Sequence, residues 1–317
     1  MSHPPKQGAL WAIVLAAGEG TRLSVVTAAV HGAPVPKQYA AIAGPRTFIQ
    51  RTMDRIAPLV PPERTVVVIA DGHRSYAEAQ LAGYPGIEIV GQPRNRGTGT
   101  GLLLPLLHVL RRDPEARVVV FPSDHHVERE SAFVEAVERA LRAAGRARAG
   151  VALVGAAAEA PATDLGWIAC GAPSAASCRP VKRFVEKPSE AVAFGLLAEQ
   201  ALWNTLILAA NAQALWNLAS LYAAPVAHAF EHGYRPYLGA SEAAARDRLA
   251  RLYEELPVVD LSRDILERAD GLRAVSMVDA GWSDCGTPER LSNLDCWRRG
   301  QIAGPGPRAP GRPALAA

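Results

Sequence analysis

The chain has little of several things, and each scarcity narrows what it can be. Its 317 residues include four cysteines, Cys170, Cys178, Cys285 and Cys296, with no Cys-x-x-Cys spacing. Neither a zinc site nor a disulfide framework is indicated by that pattern. No apolar run approaches the roughly 18 residues a membrane-crossing helix needs, so no membrane partner is expected. Residues Met1 to Gly8 are short and polar and lack the apolar centre of a signal peptide. Charge of one sign is lacking too. A net charge of +3 gives no basic field that would draw nucleic acid. A cytoplasmic enzyme fits these absences. Lysine is also scarce, with Lys6, Lys37, Lys182 and Lys187 the four among 34 basic residues. Where arginine is the default cation, a retained lysine points to a place that needs a compact point charge.

What is present describes an ordinary folded protein. Hydrophobic residues make up 49% and charged residues 21%, in a chain long enough for a substantial core and one or two domains. The stretch Trp11 to Ala16 is a short apolar run leading into Ala17-Gly18-Glu19-Gly20-Thr21-Arg22-Leu23. Such a run is too short for an ordinary helix and reads as a buried strand. Glycines directly after a strand let backbone N–H groups approach a ligand, because no Cβ stands in the way. Successive free N–H groups beside an arginine form an anion site suited to phosphate. The loop fits neither the Walker A pattern nor Gly-x-Gly-x-x-Gly, because position 23 is Leu. By itself it also fits a plain strand-turn with two structural glycines.

Ser24 to Val35 reads as a loop, kept extended by Pro34 and Pro36. Residues 47–59 place Phe48, Thr52, Met53 and Ile56 near one helical face. Strands are predicted over 64–70, 87–91, 117–121 and 150–155, and helices over 73–82, from the Gly-rich segment 92–101 to about 111, and over 130–144. Alternation of this kind is the signature of an α/β, doubly wound, mainly parallel sheet, whose ligands bind beyond the carboxyl ends of the strands. The glycine turn, the segment 92–101 and Asp124 all fall at such ends. The second half is less regular, with strands over 167–170, 181–186, 202–210 and 272–278. Its helices are predicted over 190–200, 211–222, 241–254 and 260–269, with a last one to about Arg298. One domain over 9–298 is expected, in two halves, 9–155 and 156–298. Residues 299–317, rich in Pro, Gly and Ala, read as a disordered tail.

Seven stretches, Leu15–Leu23, Pro36–Tyr39, Phe121–Val127, Asp164–Ile168, Phe184–Pro188, Leu202–Ile207 and Trp282–Gly286, occur in the order of the signature blocks of the sugar-1-phosphate nucleotidyltransferases. Together they resemble the mannose-1-phosphate guanylyltransferases in particular, through Pro36-Lys37-Gln38 and Trp203-Asn204. The resemblance implies a mixed sheet of the nucleotide-diphospho-sugar transferase type. It implies that a sugar 1-phosphate attacks the α-phosphorus of a nucleoside triphosphate in line and releases pyrophosphate. The attacking phosphate has a second pKa of about 6, is largely ionised at neutral pH and needs no protein base. Catalysis is then positioning and charge neutralisation, with Mg²⁺ held by carboxylates and phosphate oxygens.

Carried over residue by residue, the resemblance assigns Asp124 and Asp284 to the metal, and Arg22 and Lys37 to the triphosphate and the departing pyrophosphate. Lys187 matches the residue on the sugar phosphate and Glu186 one that accepts from sugar hydroxyls, with Asn204 and Gly166 completing that pocket. Nucleotide contacts are expected from Leu15, Ala17, Gly18, Gly20, Thr21, Arg22, Gln92, Gly97 and Thr98. Read without the resemblance, Asp124 also fits a helix cap or turn, Arg22 and Lys37 a solvated pair, and Glu186 an ion pair with Lys182. His125 and His126 are adjacent on an extended segment and point opposite ways, so both could hardly bind one ion and they read as structural.

Two departures stand out. The guanylyl family reads its base with an acidic residue where this chain has Gln92, whose amide also fits a pyrimidine edge. The Ser24–Val35 stretch is longer than the usual loop and lacks its Trp-Pro-Leu-Ser-Arg pattern. No β-helix or cupin extension follows residue 298, so a fused isomerase activity is not expected. The expected reaction is GTP with mannose 1-phosphate to GDP-mannose, with glucose-1-phosphate thymidylyl- or uridylyltransferase as the alternative. A catalytically silent sugar-nucleotide-binding regulatory protein is the alternative of another class, disfavoured by retention of both carboxylates, Arg22 and Lys37. A glycosyltransferase would carry an Asp-x-Asp motif, which is not found. A homodimer is left open.

Overall fold

Val66, Val67, Val68 and Ile69 are all fully buried, as are Ala12, Ile13 and Val14 on the neighbouring strand. Unbroken burial of β-branched residues requires apolar cover on both sheet faces, which is the environment of parallel strands between helices. The computed structural model describes residues 8–42, 44–172 and 178–294. The helix expected to run to about Arg298 and the tail 299–317 lie partly or wholly outside those residues.

In chain order the elements are β1 (Leu10–Ala16), α1 (Ser24–His31), α2 (Phe48–Ile56), β2 (Thr65–Ala70), α3 (Arg74–Leu81), β3 (Glu88–Gln92), α4 (Gly97–Arg112), β4 (Arg117–Pro122), α5 (Glu130–Ala144) and β5 (Val151–Ala157). They continue with β6 (Gly166–Cys170), β7 (Arg179–Glu186), α6 (Glu190–Ala198), β8 (Leu202–Asn211), α7 (Ala212–Tyr222), α8 (Ala224–His228), α9 (Glu242–Glu255), β9 (Arg273–Met277) and α10 (Pro288–Ser292). One nine-stranded sheet runs through both halves in the order β3-β2-β1-β4-β8-β5-β9-β7-β6. Strands β3, β2, β1 and β4 are mutually parallel, and β8 enters antiparallel between β4 and β5. The parallel expectation therefore holds for the first four strands, while the remainder of the sheet is mixed. Apolar layers cover both faces: Leu103, Leu106, Leu110 and Leu215 belong to one, Ile49, Met53, Phe133 and Val137 to the other. This is the doubly wound arrangement expected for the α/β class.

Several elements differ from the sequence expectation, among them α8, which had none. Ser24–His31 is a helix, not an extended loop. Both prolines lie beyond its end, and Gly32 closes it in the left-handed region at φ 78, where a residue without Cβ is favoured. The helix is hidden in the sequence because it has no side-chain cap and leaves Val25 80% exposed, so its periodicity is weak. The helix expected over 260–269 is a wide π-type turn, Leu261–Leu266. By contrast α2 carries the full set of local signals. Thr47 accepts from Gln50 N, Gln50 returns the bond to Thr47 N, and Phe48, Thr52, Met53 and Ile56 are buried.

Candidate active site

The carboxyl end of β1 opens the site. Beyond Ala16 the chain turns through Gly20, at φ 64, into a single tight turn at Thr21–Leu23. The backbone N–H groups of Gly18, Glu19, Gly20, Thr21 and Arg22 donate to no acceptor among the described residues. Gln38 Nε2 pins the turn from behind, donating to Ala16 O at 2.9 Å and Gly18 O at 2.8 Å. A Cβ on Gly20 would stand 2.6 Å from Lys37 N, so the loop and the Pro36–Tyr39 segment touch as only glycine permits. An ordered run of unbonded amides is an anion cradle.

Lys37 joins the two halves of the chain. Its ammonium is 3.0 Å from Asp124 Oδ2 at the end of β4 and donates to the backbone carbonyl of Asp284. Its side chain is 6% exposed, against 33% for Asp124. A solvated pair is therefore excluded for Lys37. Burial is the largest single influence on the Asp124 carboxyl and would raise it, but the Lys37 ammonium, His125 and a backbone hydrogen bond together outweigh it and hold the group below its ordinary value. Asp284, on the loop after β9, accepts from Arg290 Nη1 through both oxygens at 3.0 Å, and the same guanidinium nitrogen reaches Asp164 Oδ2 at 3.0 Å. Arg22, expected on the triphosphate, rests 3.5 Å from Asp164 with its side chain 64% exposed, free to turn towards an anion at the loop.

Carboxylates are the donors a hard divalent cation takes, and here Asp124 Oδ2 is paired with Lys37 and both Asp284 oxygens with Arg290. Mg²⁺ takes one or two carboxylates and completes its octahedron with water and substrate phosphate. Asp124 Oδ1 lies 3.8 Å from His125 Nε2. No group of three His, Cys, Asp or Glu gathers among the described residues, so a cation here would depend on phosphate oxygens. Burial pushes the imidazoles of His125 and His126 down to about 4, which leaves both uncharged at neutral pH. His125 packs edge-on against Trp282, and His126 pairs through its backbone with Ser283.

Leu15, Ala17, Gly18, Gln92, Gly97, Thr98 and Asp124 line one cavity of about 180 Å³, together with Gln38, Asn95, Gly101 and Leu206. Gly20, Thr21 and Arg22 flank it without lining it. Asp284 lines a neighbouring cavity of about 370 Å³ with Trp282 and Arg290, and Lys37 bridges the two. The Gly-rich wall is not a phosphate cradle. Gly97 N donates to Asn95 Oδ1 at 2.9 Å, Gly99 N to Val259 O at 2.8 Å, and Leu261 N to Thr98 Oγ1 at 2.9 Å. Gly99 N and Thr98 Oγ1, which accepts from Leu261 N and donates to Asp260 Oδ2 at 3.3 Å, hold the wall against the 253–261 segment, while Gly97 N is spent within the loop.

The sugar-phosphate candidates form a second cluster. Gly166 pairs with Glu186 across β6 and β7, and a Cβ on Gly166 would lie 2.6 Å from Glu186 Oε2 and 3.3 Å from the Asn204 side chain. Lys187 Nζ is 3.2 Å from Glu186 Oε1, so Glu186 pairs with its neighbour and not with Lys182. Burial raises the Glu186 carboxyl despite that ammonium. A bulge in β8 sets two residues, Thr205 and Leu206, outside the β5 register. Thr205 Oγ1 bonds Val154 O at 2.6 Å, and Leu206, at φ 59, turns into the nucleotide-side cavity. The bulge thus connects Asn204 to the first cluster. Sequence reasoning assigned no role to Gln38, Asp164, Leu206, Tyr253 or Arg290; Gln38, Asp164 and Leu206 stand inside matching blocks, while Tyr253 and Arg290 carry no local signal.

A family profile described as nucleotidyl transferase matches residues 11–296. The chain is 30% identical over 287 residues to the Xanthan biosynthesis protein XanB of Xanthomonas campestris pv. campestris (strain B100), which covers 89% of this chain and 58% of that protein. It is 24% identical over 298 residues to Mannose-1-phosphate guanylyltransferase 2 of Escherichia coli O157:H7, covering 89% of this chain and 59% of that one. The chain therefore spans less than two thirds of the length of these curated relatives. Its fold is similar to the crystal structure of mannose-1-phosphate geranyltransferase from Thermus thermophilus, with a TM-score of 0.76 and 27% identity over 90% of this chain and 80% of that one.

Proposed function

Because the chain belongs to the nucleotidyl transferase family, we propose that it transfers a guanylyl group from GTP to mannose 1-phosphate and releases pyrophosphate. The observation that carries this reading is Lys37, buried between the Asp124 side chain and the Asp284 backbone beside the unbonded amides of residues 18–22. That arrangement is suited to gathering phosphates of two substrates in one place. The amides and Arg22 would hold the β- and γ-phosphates, and Lys37 would neutralise charge as the pyrophosphate departs. Lys187 would meet the sugar phosphate as a point charge, with Glu186 and Asn204 orienting the sugar through its hydroxyls. The attacking phosphate oxygen displaces pyrophosphate at the α-phosphorus, with no proton transfer by the protein. Asp124 and Asp284 would hold Mg²⁺, which when bound supplies further charge neutralisation. The names of relatives support the mannose and guanylyl parts of the reading.

Gln92 favours a second reading, dTTP or UTP with glucose 1-phosphate, because its amide serves a pyrimidine edge as well as guanine. Pyrophosphate release measured with GTP, dTTP and UTP, each against mannose 1-phosphate and glucose 1-phosphate in the presence of Mg²⁺, separates the two. The expected result is the highest kcat/KM for GTP with mannose 1-phosphate. A higher value for a pyrimidine nucleotide with glucose 1-phosphate overturns it, and no turnover with any pair supports a silent binding protein.

A further inference from the structure

Gln92, the last residue of β3, is 5% exposed and lines the nucleotide-side cavity. Its Oε1 accepts the Tyr253 hydroxyl at 3.2 Å, across a sequence separation of 161. Tyr253 lies on α9, is fully buried, and its hydroxyl has no other partner among the described residues. Gln92 Nε2 has no hydrogen-bond partner among those residues either, yet it is not one of the sealed, unpartnered buried atoms. It therefore faces open space. Gly101 on α4 keeps that space open, since a Cβ there would stand 3.1 Å from Nε2.

A buried hydroxyl with a single partner must donate to it, because an O–H without an acceptor in the interior is costly. Burial also pushes the Tyr253 phenol well up, so it keeps its proton. The amide is then held with Oε1 against Tyr253 and Nε2 towards the cavity. Turning it over would leave the Tyr253 O–H facing an NH₂ group with no acceptor.

We propose that Tyr253 is a positioning residue that locks the Gln92 carboxamide in one of its two flip states, so that the cavity accepts nucleobases with a carbonyl beside a ring N–H and rejects those with an amino group beside a bare ring nitrogen. Nε2 donates to the carbonyl, and the second lone pair of Oε1 accepts the ring N–H. Guanine, hypoxanthine, uracil and thymine present that edge; adenine and cytosine present its inverse. A free amide serves either pattern by a half-turn, whereas a locked one serves a single pattern. The inference rests on the reading of this cavity as the nucleobase site.

The test is calorimetric titration of the full chain, without sugar phosphate, using ITP against ATP and UTP against CTP. Each pair differs at the carbonyl or amino group and the adjoining ring nitrogen alone. A matched two-bond contact discriminates by about 10- to 100-fold, so wild type should bind ITP and UTP at least about tenfold more tightly than their partners. Tyr253→Phe, which keeps the ring and removes the hydroxyl, should bring both ratios within about threefold of unity, by strengthening ATP and CTP as well as weakening ITP and UTP. A packing defect would weaken all four alike. Gln92→Ala should remove the discrimination too, and adding Tyr253→Phe to it should change nothing further. Ratios near one in wild type, ratios that survive Tyr253→Phe, or no binding of any of the four overturn the proposal. Retained ratios in an enzyme that does not turn over GTP with mannose 1-phosphate would overturn the functional reading and leave this one standing.

Discussion

The two halves of the sheet fill their left-handed backbone positions differently. Among described residues up to the end of β5, every residue with positive φ is a glycine, Gly20 and Gly97 of the site included. Beyond β5, five positive-φ residues are not: Lys187, Gln200, Leu206, Asp279 and Cys285. Three of these stand at the site. Lys187 is in the sugar-phosphate cluster, Leu206 on the cavity wall and Cys285 beside Asp284. A non-glycine residue in this region costs about 1–2 kcal/mol, so it persists where the surroundings hold it. In the first half a Cβ at Gly20 would meet Lys37 N and one at Gly97 would meet Val259 O, so glycine there lets two backbone segments touch. The second half needs the bent backbone together with a side chain at the bend.

Lys37 is the point where the halves meet, and its loss should have the largest effect. Lys37→Ala should lower kcat/KM by about 10³ with either substrate varied, because a preorganised charge at the reacting phosphates is lost. Lys37→Arg should not restore the rate, since a planar guanidinium does not replace a point charge in a side-chain site only 6% exposed. Near wild-type turnover by Lys37→Ala would separate the halves functionally and break the comparison.

Next in size is the second half alone. Lys187→Ala should lower kcat/KM for the sugar phosphate by about 10² while nucleotide binding stays within a few-fold; an equal loss for both substrates would place Lys187 outside the sugar-phosphate cluster. The same cluster should respond to pH. Burial raises the Glu186 carboxyl, so on acidification it takes up its proton at a higher pH than an ordinary glutamate and ceases to be a full acceptor. The KM for the sugar phosphate should rise along that limb, and Glu186→Gln should remove it, leaving the phosphate's own titration near about 6. The stability sign is the opposite of a paired carboxylate. A raised folded-state pKa costs stability above the unfolded value, so Glu186→Gln should not lower Tm at pH 7. A lower Tm for Glu186→Gln at neutral pH would contradict the raised value.

The smallest effects test the backbone contrast itself. Gly20→Ala, at φ 64 with its Cβ 2.6 Å from Lys37 N, should cost about 1–2 kcal/mol and displace Lys37. Asp279→Gly should do the reverse. Its φ is 50 and its side chain is 78% exposed, in a surface ion pair with Arg129 at 3.4 Å, while Arg129 also donates to its backbone carbonyl, a bond that glycine keeps. Relief of strain, less the backbone entropy that glycine loses on folding, leaves a gain of about 0.5 kcal/mol and a rise in Tm of about 1–2 °C. Parallel melting curves of the two variants shifting in the same direction would dissolve the distinction.

The parts of the site that could be read in the sequence are those written in local chemistry. Trp11–Ala16 and Arg64–Ala70 are apolar runs that no exposed element could carry, and Gly18 and Gly20 follow the first at once. Thr47 and Gln50 announce α2 by their spacing. Ser24–His31 reads as a loop because Pro34 and Pro36 dominate the stretch beyond its end, while nothing polar caps its start. Arg290 and Tyr253 are invisible in the sequence for another reason. Arg290 matters through Asp164 and Asp284, and Tyr253 through Gln92, and neither pairing leaves a periodicity in its own neighbourhood.

The sequence by itself determined the order of the strands and of most helices, the glycine turn and the identity of the charged residues, because burial pattern, turn chemistry and side-chain type are properties of neighbouring residues. The tertiary structure decided which of those residues meet. Antiparallel β8 enters between β4 and β5, its bulge turns Leu206 into the cavity, and Lys37 reaches Asp124 and Asp284 across separations of 87 and 247 residues. Such meetings depend on strand register and on hydrogen bonds between distant segments, which are settled when the sheet assembles and which no local stretch of the chain contains.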